Sequence, residues 1–368
     1  MAGPARPGRR LTTPSPAVDT GEEAGAPAAF LAGAGSAFAA AAEHAGRRDV
    51  HLDVAGHVVR LGFAGDALVP ALLPAVRHLE VPAPAGVPAL DVGLFDTGST
   101  GVPMPPPAWG PDAWGAKGEI AGFNDDRVRT VYDPGTEILH VYDVERSAAV
   151  YWAPAARTIP WWESSFPLRT ILHWWSASSS RQPVHSGAIA RGGVGVLVAG
   201  PSGSGKSTTT LACLEAGLGY LGDDYVMLDV DAPTVVSLYS TAKLEPDNLR
   251  RFPDLARLVA NPDKLDEQKA MLFLHEHRPD QLVRRAPVGA VLLPRIAHTT
   301  RTTLAPAPAG AAMSALAPTT LFQLPGYGRE VHAKCSRLVR SVPSYWLDIG
   351  EDLPGIAGAV GDLLDDLR

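Results

Sequence analysis

The sequence predicts an α/β protein in which a glycine-loop domain with a mixed sheet, residues 159–368, follows a smaller β-rich α+β domain, residues 47–158. Three observations carry this. The apolar run Val194 to Ala199 feeds Gly200-Pro201-Ser202-Gly203-Ser204-Gly205-Lys206-Ser207, and Thr208 to Ala216 follows as a helix. Strand, glycine loop and helix in that order is the context in which G-x-x-x-x-G-K-[ST] binds phosphate, so the second domain is expected to be a P-loop nucleotide-binding domain. Upstream, short apolar runs at His51 to Val54, His57 to Phe63, Val128 to Tyr132, Ile138 to Asp143 and Ala148 to Trp152 read as strands separated by turn residues. Residues 1–46 are Ala, Gly, Pro, Ser and Thr with scattered charge, a composition that buries too little apolar surface to offset chain entropy. A disordered tail is expected there, with a short helix near Ala37 to His44.

Length and charge narrow the functions. At 368 residues the chain has room for two domains of ordinary size. Its 32 Lys and Arg against 39 Asp and Glu give a net charge of −7, and no basic run exceeds a pair, so nucleic acid is not an expected partner. No stretch nears the ~20 apolar residues of a membrane span, and the Ala/Gly-rich segment Ala26 to Ala42 lacks the basic flank and hydrophobic centre of a secretory signal. A cytoplasmic protein with no membrane partner is expected. Cys213 and Cys335 lie far apart and read as reduced, buried thiols.

Within the first domain, Asp66 to Leu79 carries apolar residues at helical spacing with Asp66 as its cap, and Leu90 to Phe95 reads as a strand. Thr97 to Gly118 is a Pro/Gly-rich loop. His51, His57, His78 and His140 lack metal-ligand spacing and are expected to be surface or core histidines. Trp161, Trp162, Trp174 and Trp175 flank an amphipathic segment and suit a seam between domains. Beyond the loop helix, strands are expected at Val235 to Tyr239, Ala270 to Leu274, Val288 to Pro294 and Tyr345 to Ile349. Helices are expected within 313–342, broken at Pro325-Gly326-Tyr327-Gly328, and over Pro354 to Leu367.

In such a loop the backbone N–H groups of residues 202–207 and the dipole of the next helix form an anion cradle. Gly200, Ser202, Gly203, Ser204, Gly205, Lys206, Ser207 and Thr208 are therefore expected to bind nucleotide, with Lys206 reaching the β and γ phosphates and the Ser207 hydroxyl ligating Mg2+. ATP and Mg2+ are the expected cofactors. Downstream, Asp223 and Asp224 interrupt the apolar strand Tyr220 to Leu228. Neighbours on a strand face opposite ways, so one carboxylate can attend the metal while the other looks toward an acceptor hydroxyl. Lys243 and Glu245 suit a phosphate contact and a second metal contact, or a solvated strand end, and Arg295 ends a strand where a cation could meet phosphoryl charge.

A His before a strand, the glycine loop and a strand end closing on two aspartates, Gly219-Tyr220-Leu221-Gly222-Asp223-Asp224, together resemble the kinase domain of the HPr serine kinase/phosphorylase family and its lasso-peptide-tailoring relatives, a group related in fold to phosphoenolpyruvate carboxykinase. Here these are His185, Gly200 to Ser207 and Asp223-Asp224, at spacings similar to the family's. The resemblance covers about residues 165 to 230 closely and the rest loosely. It implies Asp224 as general base, His185 holding that carboxylate and tuning it, and Asp223 acting with Ser207 on Mg2+. Thr208 stands where the HPr-acting members usually place Glu, and their downstream glycine-rich signature is missing, so neither HPr as substrate nor phosphorolysis is implied.

Two classes of function follow. One is a kinase that transfers the γ-phosphoryl group to a serine or similar hydroxyl on a peptide, small protein or small molecule; the other is a nucleotide-binding regulatory module with little or no transferase activity. A carboxykinase-like enzyme lacks an anion-binding Arg cluster in this sequence. A homo-oligomer is compatible with either class.

Overall fold

The computed structural model describes residues 25–110 and 112–368, so residues 1–24 of the expected tail lie outside the described residues. Ala26–Ala45 is a single 20-residue helix that buries Phe30, Ala34 and Ala41, which corrects the expectation of disorder to residue 46. Alanine is the strongest helix former, and the small side chains let the helix lie close on a sheet. Gly93 provides the matching groove: a Cβ there would stand 2.6 Å from the Phe38 ring.

That sheet has seven strands, in the spatial order Glu80–Val81, Arg47–Val54, His57–Ala64, Leu90–Asp96, Ala148–Ala153, Ile138–Asp143 and Val128–Asp133. The first hairpin pairs Val54 with His57 across Ala55-Gly56, both at positive φ. This is the two-residue turn whose twist matches paired strands, and the Asp53 carboxylate accepts the Gly56 N–H at 2.8 Å. The helix expected from Asp66 is two short pieces, Val69–Leu72 and the 3-10 turn Pro74–Leu79. Pro74 has no N–H to continue the ladder, and Asp66 pairs with Arg48 at 3.1 Å instead of capping.

The opposite face of this sheet packs into a core shared with the second half of the chain, since Leu61 and Phe63 belong to one cluster with Trp174, Met227 and Tyr239. The helix Arg169–Ser176 lies in that seam. Its Trp175 donates to the carbonyl of Ala89 at 3.1 Å and its Trp174 to that of Pro325 at 3.2 Å.

The second sheet has nine strands and is mixed. Its path runs Gly219–Gly222, Gly187–Arg191, Val194–Val198, Arg285–Ile296, Thr234–Ser237, Val226–Asp229 and Arg181–Val184, while Ser344–Ile349 joins the far half of Arg285–Ile296 and carries Thr303–Ala307. Val194–Val198 and Ser344–Ile349 both run parallel to Arg285–Ile296, so their carboxyl ends open on one side.

Gly219–Gly222 and Val226–Asp229 stand five steps apart on that path, a flat distance of about 24 Å at ~4.8 Å per strand. Only Asp223, Asp224 and Tyr225 join them, and four Cα steps reach at most ~14 Å. The sheet must therefore curl. The two carboxylates do not interrupt one strand, as expected from the sequence; they tie together two strands at the point where the curled sheet closes.

Among the described residues, no helix is long and apolar enough to cross a membrane. A separate two-stranded ribbon, Thr241–Leu244 with Ala270–Phe273, presents Lys243.

Candidate nucleotide and phosphoryl-transfer site

The loop between Val194–Val198 and the helix Lys206–Glu215 borders a cleft of about 560 Å3. Its bends need glycine. Gly205 sits at φ 104, and a Cβ there would stand 2.4 Å from Ile349 Cδ1. Gly203 is also left-handed, at φ 79, and a Cβ on Gly200 would press on Ser204 Oγ at 2.6 Å. Ser202, Gly203, Gly205, Lys206, Ser207 and Thr208 line the cleft, whereas Gly200 and Ser204 sit behind it and shape the loop.

Lys206 is buried and donates from Nζ to the carbonyls of Gly200 at 2.8 Å and Pro201 at 3.1 Å. Burial pulls its pKa down, against the charges of Asp224 and Asp223. Ser204 Oγ is buried without a partner. A cradle that excludes side chains, one buried ammonium and one orphaned hydroxyl fit a phosphate chain.

Asp223 lies beneath the cleft, 1% exposed. Thr210 Oγ1 donates to its Oδ1 at 3.0 Å and the Lys243 N–H to its Oδ2 at 3.1 Å. Burial and the neighbouring Asp224 charge push its pKa up to about 6 against those hydrogen bonds. Gly187 makes room for this cluster, because a Cβ there would meet Thr210 at 2.6 Å.

Asp224 faces the cleft. Lys243 Nζ lies 2.7 Å from one of its oxygens and His185 Nε2 3.4 Å from the other. Burial alone would raise this carboxyl, but the ammonium and the imidazole outweigh burial and hold it well below the usual carboxylate range. Gln323 Nε2 stands 3.5 Å from His185 Nδ1. An amide N–H donated to Nδ1 leaves the proton of a neutral ring on Nε2, aimed at Asp224. The His185 N–H donates to Thr320 Oγ1 at 3.0 Å, so the helix Ala309–Gln323 fixes both backbone and ring.

The structure thus brings Lys206, Ser207, His185, Asp223 and Asp224 together. Lys243 is the partner of Asp224 and rests over the Phe166 ring at 4.2 Å, while Glu245 lines the cleft paired with Lys269 at 2.7 Å. Arg295 does not join them. Its guanidinium is spent on Asp348, at 2.7 and 2.9 Å, and stacks on Trp346.

Sequence motifs gave no sign of Gln323, Arg169 or Arg251 in the cleft wall, because each arrives from an element distant in sequence. Among the described residues no group of three His, Cys, Asp or Glu could hold a metal by itself.

No family profile matches the chain, and no curated protein matches it. Among solved structures it is similar to the HPr(Ser) kinase/phosphatase from Coxiella burnetii, with a TM-score of 0.30 and 13% identity over 50% of this chain and 98% of that one. At that distance neither fold nor activity passes from one protein to the other.

Proposed function

We propose that this chain is an ATP-dependent kinase that moves a γ-phosphoryl group to a hydroxyl on a peptide, small protein or small molecule. The observation that carries the proposal is the placement of Asp224: a buried-edge carboxylate, held by His185 and Lys243, faces the same cleft as Lys206 and Ser207. A module that only binds nucleotide has no use for that carboxylate.

Mg-ATP, when bound, supplies the phosphoryl group and the charge that must be neutralised. Lys206 leaves its own loop carbonyls to meet the β and γ phosphates, and the loop from Ser202 to Thr208 wraps them with backbone N–H groups. Ser207 would offer its hydroxyl to Mg2+, with Asp223 behind it as a second oxygen ligand. Asp224 orients the acceptor hydroxyl and receives its proton as the acceptor oxygen bonds to phosphorus and the bond to the departing diphosphate breaks. A carboxylate held below its usual pKa is a weak base, so Asp224 orients first and takes the proton late, as a loose transition state allows. His185 keeps the carboxylate turned to the cleft.

The test is γ-labelled ATP with Mg2+ and an arrayed set of serine and threonine peptides. Label on peptide hydroxyls is expected. Label appearing only as free phosphate favours the nucleotide-binding module, and failure to bind ATP contradicts both readings.

A further inference from the structure

A second cleft, of about 450 Å3, opens between the first sheet and the end of the helix Ala309–Gln323, and shares Trp162, Arg169 and Gln323 with the first. Its size falls in the ~300–1,000 Å3 range of ligand sites. Gln323 joins the two chemically, because the amide that faces this cleft also touches His185, which holds Asp224. A chain lying in the second cleft would therefore reach the phosphoryl-transfer end.

Three features of its wall point to an occupant. Five large hydrophobic side chains are exposed among the described residues, and four of them, Trp114, Trp162, Ile296 and Phe322, rim the two clefts. Exposed apolar area gathered at cleft mouths marks a contact surface.

Next, Arg169 is the unpaired charge. Lys117 is tied to the carbonyls of Leu321 and Leu324, Asp133 to its own turn through Gly135 and Thr136, and Glu163 is buried against the Leu168 N–H. Arg169, half-buried and lining both clefts, has no hydrogen bond or ion pair among the described residues, with Glu163 near but outside ion-pair distance. Finally, His140 lines this cleft with its Nδ1 buried and without a partner. A buried ring nitrogen costs stability unless a hydrogen bond satisfies it.

We propose that the second cleft is the acceptor channel, and that it takes an extended peptide segment carrying an Asp or Glu side chain for Arg169 and a large apolar side chain for the rim of Trp162 and Phe322. A planar guanidinium binds carboxylate through two parallel hydrogen bonds. This rests on the kinase reading and names its substrate class.

A positional-scanning library of amidated serine peptides, with γ-labelled Mg-ATP, tests it. The wild-type protein is expected to favour Asp or Glu at one fixed distance from serine and a large apolar residue at another, by tenfold or more in kcat/KM. Arg169→Gln should flatten the acidic preference, Arg169→Lys should restore part of it, and Phe322→Ala should flatten the apolar preference alone. An acidic preference that survives Arg169→Gln overturns the proposal, as does a rise in the KM for ATP with the peptide preference intact, which would assign Arg169 to the nucleotide. ATP turnover to water with no peptide in the library labelled also overturns it while leaving nucleotide chemistry in place, whereas no ATP binding at all overturns the kinase reading itself.

Discussion

Each half of the molecule holds a pair of carboxylates wholly or largely out of solvent, and the two pairs are used differently. In the first sheet Asp96 and Asp143 are 1% and 2% exposed, and each is spent largely on its own turn: Asp96 accepts from Ser99, Asp143 from the N–H groups of Glu145 and Arg146. Between two strands of the second sheet Asp223 and Asp224 are adjacent, the charge of Asp224 raises the cost of ionising Asp223, and they draw their partners from three other elements. A carboxylate satisfied by its own turn stabilises that turn. Two side by side, one under an open cleft, are held at a cost that the fold must offset elsewhere, which is how sites rather than turns are built.

The contrast breaks most easily at the loop. Lys206→Ala should lower phosphoryl transfer by roughly 10²–10³, the range for removing one preorganised charge-stabilising contact, with the urea unfolding midpoint little changed. In the first sheet the order reverses. Leu61 is fully buried, so Leu61→Ala should cost about 2–5 kcal/mol of stability in urea unfolding and leave the ATP affinity of the folded protein alone. Loss of nucleotide binding in folded Leu61→Ala would show that the two halves are not separable in this way.

A milder lever is acid. Burial pulls His78 and His140 down to about 3 and His173 to about 4. Unfolded histidines titrate near 6.5, so between about pH 6.5 and 3 the unfolded chain binds more protons than the folded one, and stability falls as pH falls. Urea midpoints should decline from pH 7.5 to 5, and His140→Phe should make the decline shallower. A midpoint that rises toward pH 5 would contradict the buried, neutral placement of these rings.

The smallest expected effect is at Arg295. Its pair with Asp348 is partly exposed, so Arg295→Ala should cost at most ~1 kcal/mol and leave ATP turnover unchanged. A large loss of turnover would restore this residue to the site.

The loop and the carboxylates were legible in the sequence because their chemistry is local: glycines where only glycine fits, a lysine and a serine at fixed offsets, two aspartates after a glycine. Most strands were legible by alternation. Of the helix Ala26–Ala45 only the stretch near Ala37 to His44 was legible, because the burial of the whole depends on Gly93, nearly fifty residues beyond the helix, making room for Phe38. Lys243 was legible only as one of two possibilities, since nothing local says that its ribbon lies against Asp224. Arg295 was misjudged because Asp348, its partner, comes from a strand that pairs with it only in the folded sheet.

The most direct measurement is the effect of Asp224→Asn on two quantities in parallel, Mg-ATP affinity by calorimetry and the rate of label transfer to a hydroxyl acceptor. The amide keeps the shape of the side chain, and Lys206, Ser207 and Asp223 are untouched. Affinity should stay within a few-fold while transfer falls by roughly 10²–10⁴, the range for losing a positioned acid–base group. Equal losses of affinity and transfer would move Asp224 to the metal, and an unchanged rate of transfer would contradict its place in the chemistry altogether.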